Sequence, residues 1–331
     1  MCSSNVADLS KILVIQTAFI GDAILASAAL ESLHKKFPRS ELHLLVRNGN
    51  ESLFEGHPYL KKVWVWNKKE NKLSNLLKLT REIRKERFGW IINLHRFASS
   101  GFITAFSKAI VKSGFDKNPF SSFFTYKAKH EIGNGKHEVE RNHSLLAKFV
   151  DDTFSRPRLY PTAAQRAKIG AYTQTPFVCM APASVWFTKQ LPKQKWVELC
   201  NSITDKKIYL LGAKSDETLC AEIKNASTNK NIEILCGKFS LLESCALMEK
   251  AQMNYVNDSA PLHLASSVNA PVTAFFCSTV PEYGFYPLSD NSRIISATPP
   301  PPCRPCGLHG FKTCPKGHFS CGNSVHIQGL S

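Results

Sequence analysis

The chain has 331 residues, 43% of them hydrophobic, and a formal net charge of +16 at pH 7. This length allows two globular domains, each with a core of its own. No apolar run approaches the ~20 residues that a membrane-spanning helix needs, and residues 1–10 lack a signal-peptide pattern, so we expect a cytoplasmic protein.

The first half of the chain is predicted to consist of strands alternating with helices. The strands are predicted at 11–16, 41–46, 63–66 and 90–94, and the helices at 23–36, 50–57, 71–87 and 99–110. Residues 115–135 interrupt this alternation, with a short strand at 123–126, and residues 139–150 return to helix. The proline-marked stretch 151–175 reads as a linker to a second domain.

The second half repeats the alternation. Strands are predicted at 177–180, 207–211, 232–235, 253–256 and after Pro271, and helices at 192–203, 216–224, 241–249 and from Pro261 onward. Strands and helices of these lengths predict parallel sheets covered on both faces. We therefore expect two α/β domains with a cleft between them, and ligands beyond the carboxyl ends of the strands.

The stretch from Tyr255 to Phe276 reads as strand, turn, helix and strand. Asn257, Asp258 and Ser259 offer N-cap chemistry, and Pro261 suits the first helical turn. Free backbone N–H groups and the helix dipole at such a start favour a phosphate. The alternative is an ordinary capped helix.

Other strand ends carry polar residues with two interpretations each. Asp22 is either a general base or an N-cap. Lys189, with Ser184 and a second hydroxyl nearby, either contacts phosphate oxygens or is a surface lysine. Asp216 and Glu217 either meet ribose hydroxyls or cap a helix.

Four segments together resemble glycosyltransferase family 9, the ADP-heptose:lipopolysaccharide heptosyltransferases and their relatives. They are the Gly21-Asp22 turn, residues 181–192, the turn from Gly212 to Glu217, and Asn257-Asp-Ser-Ala-Pro-Leu-His263. Their order and spacing match over almost the whole chain. The resemblance implies a GT-B fold of two Rossmann-like parallel-sheet domains facing across a cleft. We place an acceptor-binding domain at 1–155, a nucleotide-sugar-binding domain at 156–298, and a Cys-rich segment at 299–331.

The resemblance also implies roles for individual residues. Asp22 would be the catalytic base of an inverting reaction that needs no metal cofactor for its chemistry. The residues expected to bind the nucleotide sugar are Ser184, Lys189, Glu217, Phe239, Asp258, Ser259, Ala260 and His263. Phe239 falls at the adenine contact and Glu217 at the ribose contact, although Asp216 could take the latter place. Pro261 departs from the family pattern, because it supplies no N–H to the phosphate.

The positive charge is concentrated in the first half. Residues 1–150 contain 24 Lys and Arg against 13 Asp and Glu, a net of +11, whereas the remainder has 18 against 13, a net of +5. This excess predicts an anionic partner, or else a solvated basic face. The resemblance names the partner as the anionic lipopolysaccharide inner core, with Arg47, His95 and Arg96 as acceptor contacts. Peripheral contact with the cytoplasmic face of the inner membrane is compatible with this, and no nucleic acid is expected.

The cysteines fall into two groups. Cys303, Cys306, Cys314 and Cys321 are clustered, with His309 and His318 between them, and could hold a structural zinc ion, stay reduced or form disulfides. The scattered group reads as ordinary reduced cysteines: Cys2, Cys179, Cys200, Cys220, Cys236, Cys245 and Cys277.

Two other functional hypotheses stay open. A basic nucleic-acid-binding protein with a C-terminal zinc module would account for the charge and the cysteine cluster. A transferase fold that has lost its activity would keep the motifs without turnover.

Overall fold

The computed structural model describes residues 9–68, 71–150 and 153–330. The interpretation of Cys2, and the first residues of the predicted linker at Asp151, lie outside this part of the chain. The chain divides into two compact units, Met1–Ile132 with Glu138–Tyr160, and Gly133–His137 with Pro161–Ser331. The domain boundaries predicted after residues 155 and 298 stay predictions.

The first unit contains one parallel sheet. Its strands are β1 (Lys11–Gln16), β2 (Glu41–Arg47), β3 (Leu60–Trp66), β4 (Trp90–Asn93), β5 (Val111–Phe115) and β6 (Tyr126–Ala128). Its helices are α1 (Ile20–Lys36), α2 (Lys72–Glu86), α3 (Ala98–Phe106) and α4 (Glu138–His143), with short 3-10 helices at Glu51–Phe54 and Ser121–Phe123. The strand order is β3-β2-β1-β4-β5-β6.

The second unit repeats this topology. Its strands are β7 (Phe177–Ala181), β8 (Lys207–Leu210), β9 (Ile232–Ile234), β10 (Asn254–Asn257), β11 (Val272–Phe275) and β12 (Ser292–Ile295). Its helices are α5 (Ala163–Lys168), α6 (Lys193–Ser202), α7 (Glu217–Ala226), α8 (Leu241–Lys250), α9 (Ala260–Ser267) and α10 (Ser320–Asn323). Further 3-10 helices lie at Gly170–Tyr172, Phe187–Lys189, Lys214–Asp216 and Pro281–Tyr283. The strand order is β12-β11-β10-β7-β8-β9.

The central strands are apolar because both faces of each sheet are covered. Ile12 and Ile15 of β1 are fully buried, as are Val272 and Phe275 of β11. In both units the strand order reverses direction beside the first strand, between β1 and β4 and between β7 and β10. Loops diverge at such a point, so a crevice forms beyond the carboxyl ends of the strands. The predicted α/β fold with two parallel sheets is confirmed.

Several predicted elements were wrong in detail. The strand β5 was missed because its sequence contains Lys, Ser and Gly. Gly114 of this strand packs against the Phe124 ring, and a Cβ added at Gly114 would lie 2.3 Å from Phe124 Cε2. The strand β12 was missed because it is a largely exposed edge strand. The helix predicted to reach residue 110 ends at Phe106, and Lys108 takes a positive φ of 65°.

Two further corrections concern the connection between the halves. The helix predicted at 139–150 ends at His143 and continues as turns. Part of the predicted linker is the helix α5, which begins with a capping box formed by Thr162 and Gln165. No helix in the described ranges combines the length and the apolar character needed to cross a bilayer.

Candidate active site

Asp22 lies in the first turn of α1, directly beyond the carboxyl end of β1. Its Oδ2 accepts a hydrogen bond from the backbone N–H of Phe19 at 3.1 Å. Asp22 therefore contributes to the cap from the third position of the helix, whereas the N-cap residue, which the simpler interpretation placed at Asp22, is Phe19. A carboxylate has about four lone-pair sites on its two oxygens, so the bond to Phe19 is compatible with a role as base.

A buried ion pair lies near Asp22. The Nε of Arg141 donates to Oε2 of Glu138 at 2.8 Å, and both side chains are almost fully buried. Burial raises the pKa of Glu138 to about 7; Arg141 opposes this rise, and the charge of Asp22 adds to it. The helix α4 that carries the pair packs against α1. Sequence reasoning missed this pair, because an acid and a base three residues apart on a helix usually mark an exposed surface pair.

Four cationic or polar side chains surround the turn at residues 17–22. Arg47 ends β2, and its guanidinium lies 4.8 Å from the centre of the Phe19 ring. Lys68, which follows β3, donates from Nζ to the carbonyl oxygen of Thr17 at 2.5 Å. Burial, together with the charge of Arg47, lowers the pKa of Lys68 to about 8. Lys68 was not predicted as a site residue, because nothing in its local sequence sets it apart from other lysines.

His95 and Arg96 follow β4 at the same edge of the sheet. A hydrogen bond of 3.0 Å joins His95 Nδ1 to Thr17 Oγ1. Burial, together with the charges of Lys68 and Arg96, lowers the pKa of His95 to about 4. His95 is therefore neutral at pH 7 and offers hydrogen bonds, whereas Arg47, Lys68 and Arg96 supply positive charge. The structure brings all three predicted acceptor contacts to one edge of the first sheet.

In the second unit, Lys189 and Asp258 meet at the carboxyl ends of β7 and β10. The Nζ of Lys189 lies 2.7 Å from Oδ2 of Asp258, with 16% and 5% of the two side chains exposed. The hydroxyl of Thr279 donates to the same oxygen at 2.6 Å. The backbone N–H of Asp258 donates to Phe275 O at 3.1 Å, so it is committed to the sheet rather than available to a phosphate.

The helix α9 begins next to this ion pair. Ser259 is its N-cap residue, Ala260 its first residue, and the helix carries proline in its first turn. One turn on, His263 is buried, and its Nδ1 has no hydrogen-bond partner among the described residues. Burial lowers the pKa of His263 to about 3, with a contribution from Lys189, so the ring is neutral. A buried nitrogen of this kind can form a hydrogen bond with a ligand or a water molecule.

Asn257 holds the loop that carries Lys189. Its Oδ1 accepts from the backbone N–H of Leu191 at 2.9 Å, and its Nδ2 donates to Pro182 O at 2.8 Å. Ser184, half-buried in the same loop, accepts at its carbonyl oxygen from Gln190 at 2.7 Å. Sequence reasoning treated Asn257 only as cap chemistry, because the loop that it binds lies far away in the chain.

The predicted ribose and adenine residues lie on two loops that pack together. Asp216 Oδ2 accepts from Ala213 N at 2.8 Å, so Asp216 caps its own turn. Glu217 is half-exposed and paired with Lys214, and its role as the ribose contact stays a prediction. The two loops meet at Gly237 (φ +68°), where an added Cβ would lie 3.0 Å from Lys214. Phe239 packs edge-on against Tyr172, with 5.2 Å between the ring centres.

The Cys-rich segment braces the Lys189 loop. The N–H of Phe311 donates to Thr188 Oγ1 at 2.8 Å, and Thr188 N donates back to Phe311 O at 3.1 Å. Gly310 (φ +76°) passes so close that an added Cβ would lie 2.9 Å from Thr188 Oγ1 and 3.0 Å from Lys189 Cγ. Arg304 donates twice to Thr279 O, at 3.1 and 2.7 Å. This segment therefore supports both residues that contact Asp258.

The four clustered cysteines are free thiols. Cys321 is buried in the core of the second unit, with Cys314 packed against that core, and Cys303 Sγ lies 3.9 Å from His318 Nε2. Burial, with the nearby Cys306, Cys303 and Cys314, raises the pKa of Cys321 to about 11. Within the described ranges, no three His, Cys, Asp or Glu side chains form a group that could hold a metal ion. Zinc binding at these cysteines stays a prediction.

The comparison with known families separates the transferase hypotheses from the nucleic-acid-binding hypothesis. Residues 76–308, more than half of the chain, match the model described as glycosyltransferase family 9 (heptosyltransferase). This chain belongs to glycosyltransferase family 9. The resemblance predicted from the four segments is confirmed, and the family match does not support a nucleic-acid-binding protein.

Relatives of this family 9 enzyme cover most of its length. Lipopolysaccharide heptosyltransferase 1 of Campylobacter coli is 25% identical over 303 residues, covering 82% of this chain and 85% of the relative. Lipooligosaccharide heptosyltransferase 2 of Campylobacter jejuni subsp. jejuni serotype O:2 is 26% identical over 331 residues, covering 94% and 93%. The solved structure of ADP-heptose lps heptosyltransferase II from E. coli matches with a TM-score of 0.76 at 18% identity, covering 95% and 97%. The two Rossmann-like units of this enzyme are those of the GT-B fold.

Proposed function

We propose that this protein is an inverting glycosyltransferase that moves a heptose, or a related sugar, from an ADP-sugar to the inner core of lipopolysaccharide. The names of the Campylobacter relatives and of the E. coli structure support this choice of donor and acceptor. The proposal includes a cytoplasmic location with peripheral contact to the inner membrane, because the acceptor is anchored in lipid.

The observation that carries the proposal is the ion pair between Lys189 and Asp258 beside the start of α9. A cation and the positive end of a helix dipole meet there at the carboxyl ends of neighbouring parallel strands. Both favour an anion, and a nucleoside diphosphate is the anion that such loops bind. His263, with its unpaired Nδ1, supplies a further polar contact in the same place.

On the acceptor side, Asp22 removes the proton of the attacking hydroxyl. The freed oxygen lone pair forms a bond to the anomeric carbon of the donor sugar, on the face opposite the diphosphate. Arg47, Lys68 and Arg96 surround the turn that carries Asp22, and they suit the phosphate and carboxylate groups of the inner core.

On the donor side, the bond from the anomeric carbon to the diphosphate oxygen breaks, and its electron pair leaves with ADP. Negative charge grows on the departing oxygen, where Lys189 and the N–H groups of Ser259 and Ala260 stabilise it. Asp258 orients Lys189, and Glu217 and Phe239 contact the ribose and the adenine. In this proposal no metal ion takes part in the chemistry.

A donor screen tests the proposal. Purified protein is mixed with ADP-, UDP- and GDP-sugars, and hydrolysis and transfer to an inner-core acceptor are measured. We expect turnover with an ADP-heptose. No response to any nucleotide sugar, with tight and steeply salt-dependent binding to DNA or RNA, would overturn the assignment. Donor binding without turnover under any condition would instead identify an inactive member of the family.

Asp22→Asn tests the base. The amide keeps an oxygen that can accept the Phe19 N–H, so we expect ADP binding to be unchanged and turnover to fall by about 10³-fold. Glu243→Gln is the matched control, since Glu243 is also a capping carboxylate at the third position of its helix and is not placed in the site. Its turnover should equal that of the wild type. Full turnover in Asp22→Asn would show that Asp22 is not the catalytic base.

The zinc prediction has a separate test. Elemental analysis of purified protein should find about one zinc per chain if Cys303, Cys306, Cys314 and Cys321 rearrange to bind it. Protein free of metal, with all four thiols titratable after unfolding, would show that the cluster is reduced.

A further inference from the structure

The helix α2 in the first unit is strongly basic on its exposed side. It carries five Lys and Arg against two Glu over Lys72–Glu86. One of the acids, Glu86, is paired with Lys11 at 3.1 Å. Leu76, Leu79 and Ile83 pack into the core, so a single apolar stripe of α2 makes its contacts with the rest of the domain.

Two leucines lie outside that stripe. Leu73 is 70% exposed and Leu77 38% exposed, one turn apart on the same side of α2. They line a shallow groove of about 770 Å³ whose rim carries Lys72, Lys78 and Arg81. We call these five residues the α2 groove. Exposed leucines flanked by basic side chains are not required for folding, because a solvated helix face needs no apolar residues.

A second set of exposed apolar residues lies on α3 and in the segments that follow it. Phe102, which packs on the same core as α2, contacts Phe106, and Phe106 contacts Phe123 with 5.9 Å between ring centres. Phe123 is 53% exposed and Ile110 60% exposed.

The helix α3, which ends at Phe106, packs against α2. Lys112 of β5 donates to Ala105 O of α3 at 2.7 Å. The end of α3 and the start of β5 therefore lie together, beside the helix that carries the α2 groove.

We propose that the α2 groove and the neighbouring patch of Phe106, Ile110 and Phe123 form a docking surface for an anionic lipid bilayer. The basic rim matches the negative headgroups, and the leucines and aromatic residues enter the interface between headgroups and acyl chains. A nucleic acid or an acidic protein would use the rim but leave Leu73 and Leu77 without a partner. The proposal rests on the proposed function, since an acceptor anchored in lipid requires the enzyme to work at such a surface.

Vesicle co-sedimentation tests the surface without any sugar donor. The full chain is mixed with vesicles of phosphatidylcholine alone or with phosphatidylglycerol added. We expect binding only to the anionic vesicles. Since each basic residue near an anionic surface contributes about a fivefold factor in affinity, Lys78→Glu/Arg81→Glu should weaken binding by at least about twentyfold. Leu73→Ser/Leu77→Ser should weaken it by about tenfold, from the lost apolar contact.

Matched controls separate this surface from general charge. Lys35→Glu/Arg39→Glu changes the net charge equally at the exposed end of α1, and Ile294→Ser removes a partly exposed apolar residue of the second unit. Both should bind vesicles nearly as the wild type does. Equal losses in the groove and control variants would overturn the proposal and indicate non-specific charge. Unchanged vesicle binding in Leu73→Ser/Leu77→Ser would exclude insertion of the leucines into the bilayer. Binding of the protein to an oligonucleotide as tightly as to vesicles, with an equal loss of that affinity in Leu73→Ser/Leu77→Ser, would also exclude insertion.

The outcome is separable from that of the donor screen. Transfer to a soluble inner-core glycan without acyl chains should be normal in every groove variant. Normal transfer without vesicle binding would overturn only the proposed docking surface. Vesicle binding that depends on the α2 groove, without transfer from any nucleotide sugar, would overturn only the proposed function.

Discussion

Lys189 Nζ and Asp258 Oδ2 lie 2.7 Å apart, and Thr279 donates to the same carboxylate oxygen. Both charged side chains are largely withdrawn from water. Removing one partner of such a pair leaves the other charge uncompensated, so each residue has a structural role as well as the proposed role in binding. An incoming diphosphate would share Lys189 with Asp258, and the acid keeps the cation in place before the donor arrives.

Lys189→Ala should lower ADP affinity by about 30- to 150-fold, because charge-assisted hydrogen bonds to phosphate contribute about 2–3 kcal/mol. Isothermal titration calorimetry measures this at a temperature where the variant is folded. Lys193→Ala is the control, since Lys193 forms an exposed pair with Glu222 at 2.9 Å and should have almost no effect. Wild-type ADP affinity in Lys189→Ala would contradict the proposed phosphate site.

The titration of Glu138 should make the free energy of unfolding fall as pH rises. Its pKa is raised from 4.5 to about 7 in the folded chain, so folding favours the protonated form. The stabilising contribution is complete below pH 4.5 and is lost as pH rises through 7. A shift of this size corresponds to at most about 3 kcal/mol in the free energy of unfolding.

Glu138→Gln removes this titration while keeping an oxygen for Arg141. Urea unfolding at pH 5, 6, 7 and 8 should show the variant gaining stability relative to the wild type as pH rises. Glu82→Gln, which changes an exposed carboxylate, should leave the pH dependence unaltered. A constant difference between Glu138→Gln and the wild type would show that Glu138 does not titrate in this range.

Gly310→Ala should weaken ADP binding although Gly310 is not itself a predicted ligand. The added Cβ would press on Thr188 and on the stem of Lys189, so the loop must move by several tenths of an ångström. We expect a loss of about tenfold in affinity, or about 1.4 kcal/mol. Gly317→Ala is the matched control, because Gly317 has a similar φ of +74° but no atom within 4 Å of the added Cβ.

Both variants carry the same kind of backbone strain, and Gly310→Ala adds the steric contact with the Lys189 loop, so both melting temperatures should fall and that of Gly310→Ala should fall further. Only Gly310→Ala should change the calorimetric titration with ADP. Equal affinities for the two variants would show that the contact with the Lys189 loop has no bearing on the site.

The sequence predicted those parts of the fold and site that depend on local pattern. Apolar runs bounded by turns predicted the buried strands, and Asp22, Lys189 and Asp258 were selected because each follows such a run. Lys68 and Glu138 were missed, since their significance comes from residues distant in the chain that burial brings beside them.

The short or exposed elements were missed for a related reason. The strand β5 contains polar residues and a glycine whose purpose is visible only with Phe124 in place. Where the local pattern is weak, tertiary contacts decide the structure, and a single sequence does not display them.

The contact between Phe311 and Thr188 also has a consequence for synthesis of the chain. The two residues are 123 positions apart, and the ribosome makes the Thr188 loop long before the segment that holds it. The central strands β7 to β10 end more than 50 residues before Gly310, so they can pair before that segment is made, and the nascent sheet exists for a time with an unbraced Lys189. On this order of events, affinity for the sugar nucleotide is among the last properties that the growing polypeptide acquires.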